Sequence, residues 1–294
     1  MDIRVARCLK AHADDGPVVA DERRAEALHF GMPTELELQF QAHADELMKT
    51  VVIALFANSN RPRLVGSAFL VTFKTRIYLV SARHVFDEMN VEGAGLLFFY
   101  VGLDQVYVPT GRLLFTKNDA HGQDDDDVAV MKLGASPPVW SGSEFKLPIA
   151  LEALGDSVIV DENSYLLLAG YPASRARIHS PTSRMVAQPH GFSRPRASDD
   201  HYKSFGIDPN SHILVRFDQR RDVSFVGREG APSRFPSPAG MSGAPLWRVS
   251  KDGYGHIRTT IVGIATTHLK TARLIKSTHI DCAIAMIAHL DSVD

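Results

Sequence analysis

The sequence predicts an all-β dominated protein with a helix toward each end, and three observations carry that expectation. From Val51 onward the chain breaks into short apolar runs, such as Val51 to Phe56 and Tyr165 to Leu168, separated by turn formers such as Asn58-Ser59-Asn60-Arg61-Pro62 and Asp252-Gly253. Sustained helical spacing of apolar residues is found in two places, from Leu36 to about Lys49 and from Ser277 to Leu290. No run of eighteen apolar residues occurs, so nothing reads as a membrane-spanning helix.

Composition narrows the function classes. Hydrophobic residues make up 45% and charged residues 22% of 294 residues, with a formal net charge of −2. No strong field favours nucleic acid or an anionic membrane as a partner, and the length suffices for one large or two moderate buried cores. Met1 to Gly16 mixes Asp, Arg, Lys and His without the apolar core of a secretory signal. Cys8 and Cys282 stand near opposite ends and form at most one bridge, where secreted proteins usually carry several, so a cytoplasmic protein with two inert thiols is expected.

Taken in order, residues 1–50 read as an N-terminal extension. A short helix is expected around Asp21 to Leu28, after the break at Asp14-Asp15-Gly16-Pro17. Pro33-Thr34-Glu35 opens a longer helix, because proline suits the first turn and an acid suits the positive end of the helix dipole. Leu36, Leu38, Phe40, Ala44 and Leu47 give it a face for packing on the outside of the β structure. Strands then follow at Val51 to Phe56, Gly66 to Val71 and Ile77 to Val80, with a short helix after His84. Further strands are read at Leu96 to Tyr100, Gln105 to Val108, Arg112 to Phe115 and Val128 to Leu133.

Ala135 to Phe145, with Gly, Ser and two prolines, reads as a linker, and Tyr165 to Ala169 as a strand ending in Gly170-Tyr171-Pro172. Residues 174–212 are polar and basic through Arg175, Arg177, Arg184, Arg194 and Arg196; a solvated hairpin with a mobile insertion is favoured over a nucleic-acid face, because aromatic interleaving is sparse. His212 to Phe217 is a strand, Phe225 to Pro238 a loop, and Leu246 to Val249 and Thr259 to Thr266 the last strands. Ile280, Ile284, Ile287 and Leu290 give the C-terminal helix its apolar face.

Three local patterns carry chemistry. Gly240-Met241-Ser242-Gly243-Ala244-Pro245 places a serine between glycines after a Pro-rich loop, where small neighbours admit a carbonyl substrate and backbone N–H groups can face an oxyanion. Such a turn is common on surfaces and needs a base and a carboxylate. Ile77-Tyr78-Leu79-Val80-Ser81-Ala82-Arg83-His84 is an apolar strand that breaks at small residues and delivers a histidine. Asp124-Asp125-Asp126-Asp127 opens the strand Val128-Ala129-Val130. The plain alternative for that run is a solvated or metal-attracting turn, with His121 close by.

This set resembles the chymotrypsin-like (trypsin-like) serine peptidases, in their intracellular bacterial form, over about residues 50–270. The order His-Asp-Ser is that family's, whereas nucleophile-elbow hydrolases run Ser-Asp-His and subtilisin-like enzymes Asp-His-Ser. The resemblance implies two six-stranded antiparallel β-barrels over 51–135 and 161–276, joined by 136–160, with a closing helix at 277–294. It implies a serine endopeptidase with His84 as base, Asp127 orienting it (Asp126 if the register slips by one) and Ser242 as nucleophile. The N–H groups of Gly240 and Ser242 would hold the oxyanion, and the Thr266 hydroxyl would reach Asp127.

On the same resemblance, Pro236 and Ser237, after Phe235, and Thr266, Thr267 and His268 would bind substrate, the last three as an added strand. No acid stands at the expected pocket base unless Glu229 folds back, so a small or apolar residue before the cut is expected rather than Lys or Arg. Met241 replaces the acid that in secreted relatives pairs with a newly cut N-terminus, so activation is expected not to use that pair. No cofactor and no metal are implied. The expected partners are a protein or peptide substrate and a regulatory protein, with the extension or residues 174–212 available for restraint; neither nucleic acid nor membrane is expected. Two alternatives stand beside this: a catalytically silent binding or scaffold module of the same fold, and, well behind, a metal hydrolase around His121 and the aspartates.

Overall fold

Strands that are apolar on both faces sort their side chains into separate layers, and here they build two curled antiparallel sheets. The computed structural model describes residues 44, 46–48, 51–57, 62–87, 97–101, 105–116, 126–134, 147–155, 160, 165–179, 184–219, 223–224, 233–251, 254 and 256–293. The first sheet comprises β1 (Ile53–Ala57), β2 (Arg63–Phe73), β3 (Arg76–Ala82), β4 (Leu97–Val101), β5 (Gln105–Tyr107), β6 (Gly111–Phe115), β7 (Val128–Leu133) and the two-residue β8 (Ile149–Ala150), with a short helix, α1 (Arg83–Asp87), after β3. Its order is β5-β4-β1-β2-β3-β7-β6, and β8 lies parallel to β2.

Side-chain alternation along β2 shows how the layers arise. Ala68 and Leu70 pack with Leu79, Val85, Phe99 and Met131 inside the first sheet. Phe69 and Val71 face the other way, into a layer shared with Leu167, Ala169, Trp247 and Ile261 of the second sheet.

The second sheet holds β9 (Tyr165–Gly170), β12 (His190–Pro195), β13 (His212–Arg216), β16 (Pro245–Lys251), β17 (Ile257–Leu269) and β18 (Leu274–His279), in the order β12-β9-β16-β17-β18-β13. Two separate hairpins pair β10 (Ala176–His179) with β11 (Arg184–Ala187) and β14 (Val223–Ser224) with β15 (Ser233–Arg234). Leu166 and Leu168 point into the sheet's own core with Phe192, Val215, Leu246 and Val262.

Neither sheet closes into a barrel; both are open half-barrels, where the family resemblance implied two closed six-stranded ones. In the first sheet the edge strands β5 and β6 follow one another in the chain but do not pair. β5 has only three residues, and Pro109, which has no N–H to donate, stands between them. In the second sheet the edges meet at a single bridge, Arg196 with Val215, just past Pro195.

That meeting point is sealed by a helix. The stretch 174–212, read as a hairpin with a mobile insertion, supplies the β10–β11 hairpin and, beyond it, β12 and α2 (Asp199–Phe205). Ala197 N–H donates to the Leu214 carbonyl (2.8 Å), and the buried Tyr202 hydroxyl accepts the Leu214 N–H (2.7 Å). Arg196 lies over the Tyr202 ring at 4.4 Å and pairs with Asp199 at 2.9 Å. Both backbone groups of this β13 edge residue are thereby satisfied.

The C-terminal helix α3 (Ile280–Ser292) covers the layer between the sheets, burying Ile280, Ala283, Met286, Ile287 and Leu290. Full burial of each larger side chain is worth roughly 1.5–3 kcal/mol. Its last turn is tied down where Asp291 accepts from Lys74 Nζ (2.5 Å) and the Tyr78 hydroxyl (3.3 Å), and the Lys74 bond holds that carboxyl below its usual range. Ala44 and 46–48 are helical. The rest of the helix read from Pro33, the extension before it, residues 135–145, Cys8, His121, Asp124, Asp125 and Glu229 lie outside the described residues. Among the described residues no helix is long and apolar enough to cross a membrane.

Candidate active site

The small residues Ser81 and Ala82, both fully buried, end β3 against the neighbouring chain, and α1 then begins at Arg83 and carries His84 out to solvent. Opposite it, the residue preceding β7 is Asp127, held in the left-handed region at φ 50°, a conformation aspartate tolerates better than most residues. Arg83 N–H donates to the Asp127 carbonyl (3.0 Å) and His84 N–H to Asp127 Oδ1 (3.0 Å). His84 Nδ1 stands 2.6 Å from Asp127 Oδ2. A carboxylate only accepts, so Nδ1 is the protonated nitrogen and Nε2 is left as the basic one. Asp127 is 15% exposed and His84 47%.

Asp126, the alternative register, turns to the second sheet. Thr278 Oγ1 donates to its carbonyl oxygen, and its carboxylate lies 3.9 Å from the buried His212 Nε2. The second sheet thus grips the residue next to Asp127.

The serine loop is built on two glycines with positive φ, Gly240 (92°) and Gly243 (84°). A Cβ on Gly243 would sit 2.0 Å from Ser81 Oγ and 2.1 Å from the Ser67 carbonyl, so only glycine lets the loop approach the strand end before His84 this closely. Ser67 is the connecting residue, fully buried. Its N–H donates to the Ser242 carbonyl (2.8 Å), its hydroxyl donates to the Gly240 carbonyl (3.0 Å) and accepts from Tyr171 N–H (2.9 Å), and its carbonyl accepts from Ser81 Oγ (2.6 Å).

The N–H groups along the loop divide into two sets. Met241, Gly243 and Ala244 donate to Pro238, Ala265 and Met241 respectively, at 2.9, 2.7 and 2.9 Å. Among the described residues, no acceptor takes the N–H of Gly240 or of Ser242. The Ala239 carbonyl accepts from Ala173 N–H (2.7 Å), and a trans peptide therefore aims the Gly240 N–H away from Ala173. The Ser242 hydroxyl makes a long bond to the Thr266 carbonyl (3.4 Å) rather than to His84. The structure therefore joins His84 to Asp127, sets the serine loop against their turn, and leaves the serine hydroxyl turned to β17.

The residues expected to bind substrate fall in two places. Pro236 is buried and Ser237 exposed beside Phe235, whose ring packs edge-on to Phe192 and Phe217 at 5.3 Å each. The Thr266 hydroxyl, expected to reach Asp127, donates instead to the Lys276 carbonyl (3.3 Å), because the β17–β18 register shifts between Ala265 and Thr267 and turns that side chain toward β18. Thr267 is exposed and His268 half-buried. Past Ile264 β17 outruns its β16 partner, so Thr266, Thr267 and His268 keep β18 on one side only. His268 packs on Phe217 at 5.3 Å, and burial, with Lys270 adding to it, pushes its imidazole below the usual histidine range.

Met241 is buried with Phe235 and Ala244 in the second-sheet core. Among the described residues no cluster of three or more metal-ligating side chains occurs. Sequence reasoning did not single out Ser67, Ser81 or Thr278. For Ser67 and Ser81 the available signal was a hydroxyl residue inside a mainly apolar run, which must find a partner once buried; the mixed strand around Thr278 offered none. No protein-family model matches the chain, and no curated protein matches its sequence.

Proposed function

We propose that this chain is a serine endopeptidase of the chymotrypsin-like type, its two half-barrel sheets standing for that family's barrels, with His84, Asp127 and Ser242 as its triad. The observation that carries this reading is the pair of N–H groups at Gly240 and Ser242, unclaimed among the described residues, on a loop packed against the turn that holds His84 to Asp127. Two donors two residues apart, beside a hydroxyl and a tautomer-fixed imidazole, are what a tetrahedral oxyanion requires.

His84 Nε2 takes the Ser242 proton as Oγ attacks the peptide carbonyl, and Asp127 stabilises the imidazolium formed. The carbonyl oxygen becomes an oxyanion between the N–H groups of Gly240 and Ser242. His84 then protonates the leaving amine, and water, activated by the same imidazole, releases the acid from Ser242. The side of β17 that β16 leaves open at Thr266 to His268 would take the acyl part of the substrate as a strand, with Pro236 and Ser237 beside the residue before the cut. Met241, lying in apolar packing, makes no use of a cut N-terminus.

The Ser242 bond to the Thr266 carbonyl favours a second reading, a silent or latent module of the same fold. Unliganded catalytic hydrogen bonds are often long or misaligned, so this bond is compatible with either reading. A fluorophosphonate probe distinguishes them. Covalent labelling of the wild type that is lost in Ser242→Ala and slowed in His84→Ala supports the peptidase, whereas a wild type that stays unlabelled supports the silent module.

A further inference from the structure

From Ala173 to Ala197 the chain contains five arginines and no Asp or Glu, in a protein whose overall charge is −2. This basic arm begins at the serine loop. Ala173 N–H holds the Ala239 carbonyl at 2.7 Å, and a Cβ on Gly240 would stand 2.7 Å from that same nitrogen and 2.8 Å from the Tyr171 carbonyl.

The hairpin's register decides which side chains face out. Ala176 and Ala187, paired across it, pack on the core, as does Met185. By strand alternation Arg177 and its partner Val186 face solvent, and Val186 is 39% exposed. Arg175, two residues earlier, is exposed as well. Neither Arg175 nor Arg177 has an ion-pair partner among the described residues.

Position gives these two cations a use. Ser242 touches β17 through Thr266 at one end of the loop, and Gly240 touches Ala173 at the other. If the acyl half of a substrate lies along Thr266 to His268, the leaving half runs the opposite way, past Gly240 toward Arg175 and Arg177. We propose that the β10–β11 hairpin is a specificity arm that recognises an acidic stretch of polypeptide on the C-terminal side of the bond to be cut. The proposal rests on the peptidase reading for the direction of the chain, but the surface itself can be tested without catalysis. An acidic peptide is favoured over nucleic acid because the hairpin's residues 176–187 contain no Phe, Tyr or Trp on which a base could stack.

The test uses the full chain carrying Ser242→Ala and a fluorescein-labelled decapeptide of alternating Glu and Gly, followed by anisotropy at low and physiological salt. Matching probes are an alternating Lys and Gly decapeptide and a ten-nucleotide oligothymidylate. The Glu peptide is expected to bind, and to bind about tenfold more weakly in Arg175→Glu/Arg177→Glu and as salt rises, since exposed charges are screened over about 8 Å. Lys203→Glu, a charge change outside the hairpin, is expected to leave binding unchanged. Both arginines lie at the surface, and a melting curve checks that the double variant folds. Absent binding of the Glu peptide, equal binding of the Lys peptide, indifference to the double substitution, or tighter binding of the oligonucleotide through the same arginines each overturns the proposal. Failure of the peptidase reading shows elsewhere, as absent fluorophosphonate labelling of the wild type.

Discussion

Ser67→Ala removes a single oxygen, and with it two hydrogen bonds, one to the serine loop and one to the backbone just past β9. That oxygen donates to the Gly240 carbonyl at 3.0 Å and accepts the Tyr171 N–H at 2.9 Å, at a residue with no exposed surface. Alanine leaves both backbone groups without their partner, and the methyl leaves no room for a bridging water without local movement. An unsatisfied buried polar group costs about 1–3 kcal/mol, so a loss of about 2–4 kcal/mol is expected after partial relaxation. For a chain of this size, with an unfolding entropy of about 0.6 kcal/mol/K, that lowers the melting temperature by about 3–6 °C. The chemistry should fall further than the stability. The bond to the Gly240 carbonyl fixes the peptide between Gly240 and Met241, which links the two peptides that carry the Gly240 and Ser242 N–H groups, so without it the spacing of that donor pair loosens. Loss of one such donor slows acyl transfer about 100-fold or more. Calorimetry gives the first quantity and the rate of fluorophosphonate labelling at a temperature well below melting gives the second. Ser67→Ala with an unchanged melting temperature and an unchanged labelling rate would refute the account of Ser67 as the residue joining the serine loop to the first sheet.

Thr278→Val keeps the shape of the side chain but removes the donor to the Asp126 carbonyl, so the turn that holds Asp127 at φ 50° loosens. Labelling is expected to slow about tenfold from misplacement of the His84–Asp127 pair, with Thr278→Ser close to wild type; equal rates in the valine and serine variants would remove the hydroxyl from the argument. Burial pushes the His279 imidazole below its usual range, against a smaller upward pull from Asp281, the bond with the His212 backbone and Asp208, and His212 as a charge adds to the lowering. Below about pH 6.5 the unfolded chain takes up a proton that the folded site resists. The stability this histidine contributes is therefore present above that pH and lost as pH falls toward the folded value, by at most about 1.4 kcal/mol per pH unit. Denaturant titrations from pH 7.5 to 5.5 should show His279→Asn with a shallower loss than wild type, and parallel curves would count against it.

The strands and the His84, Asp127 and Ser242 turns were legible in the sequence because each announces itself locally, by period-two apolar runs or by small residues where the chain must turn sharply. What escaped it was set by partners distant in sequence. β12, His190–Pro195, contains a buried histidine, serine and glycine, and its serine is tolerated only because Ser193 Oγ finds the Leu166 carbonyl at 3.0 Å. α2 did carry signals: Ser198 ahead of Asp199 and Asp200, and Gly206 in the left-handed conformation after its end. They were outweighed by the polarity of their surroundings. Barrel closure was expected by resemblance, and no local feature of β5, Pro109 or Pro195 can report whether two edges meet. The Thr266 hydroxyl was misdirected for a similar reason, since a bulge shifts a side chain by one position and leaves no mark in composition.

The seal made by Tyr202 on Leu214 has a bearing on how this molecule fails. An open half-barrel offers any passing extended peptide a template, and here one rung of the β13 edge is blocked by a phenol oxygen carried on a helix of seven residues. Heating or mutation that frees this small helix would bare β13 while the rest of the sheet is still intact, so the first damaged species would be a sticky near-native one and its fate would depend on concentration.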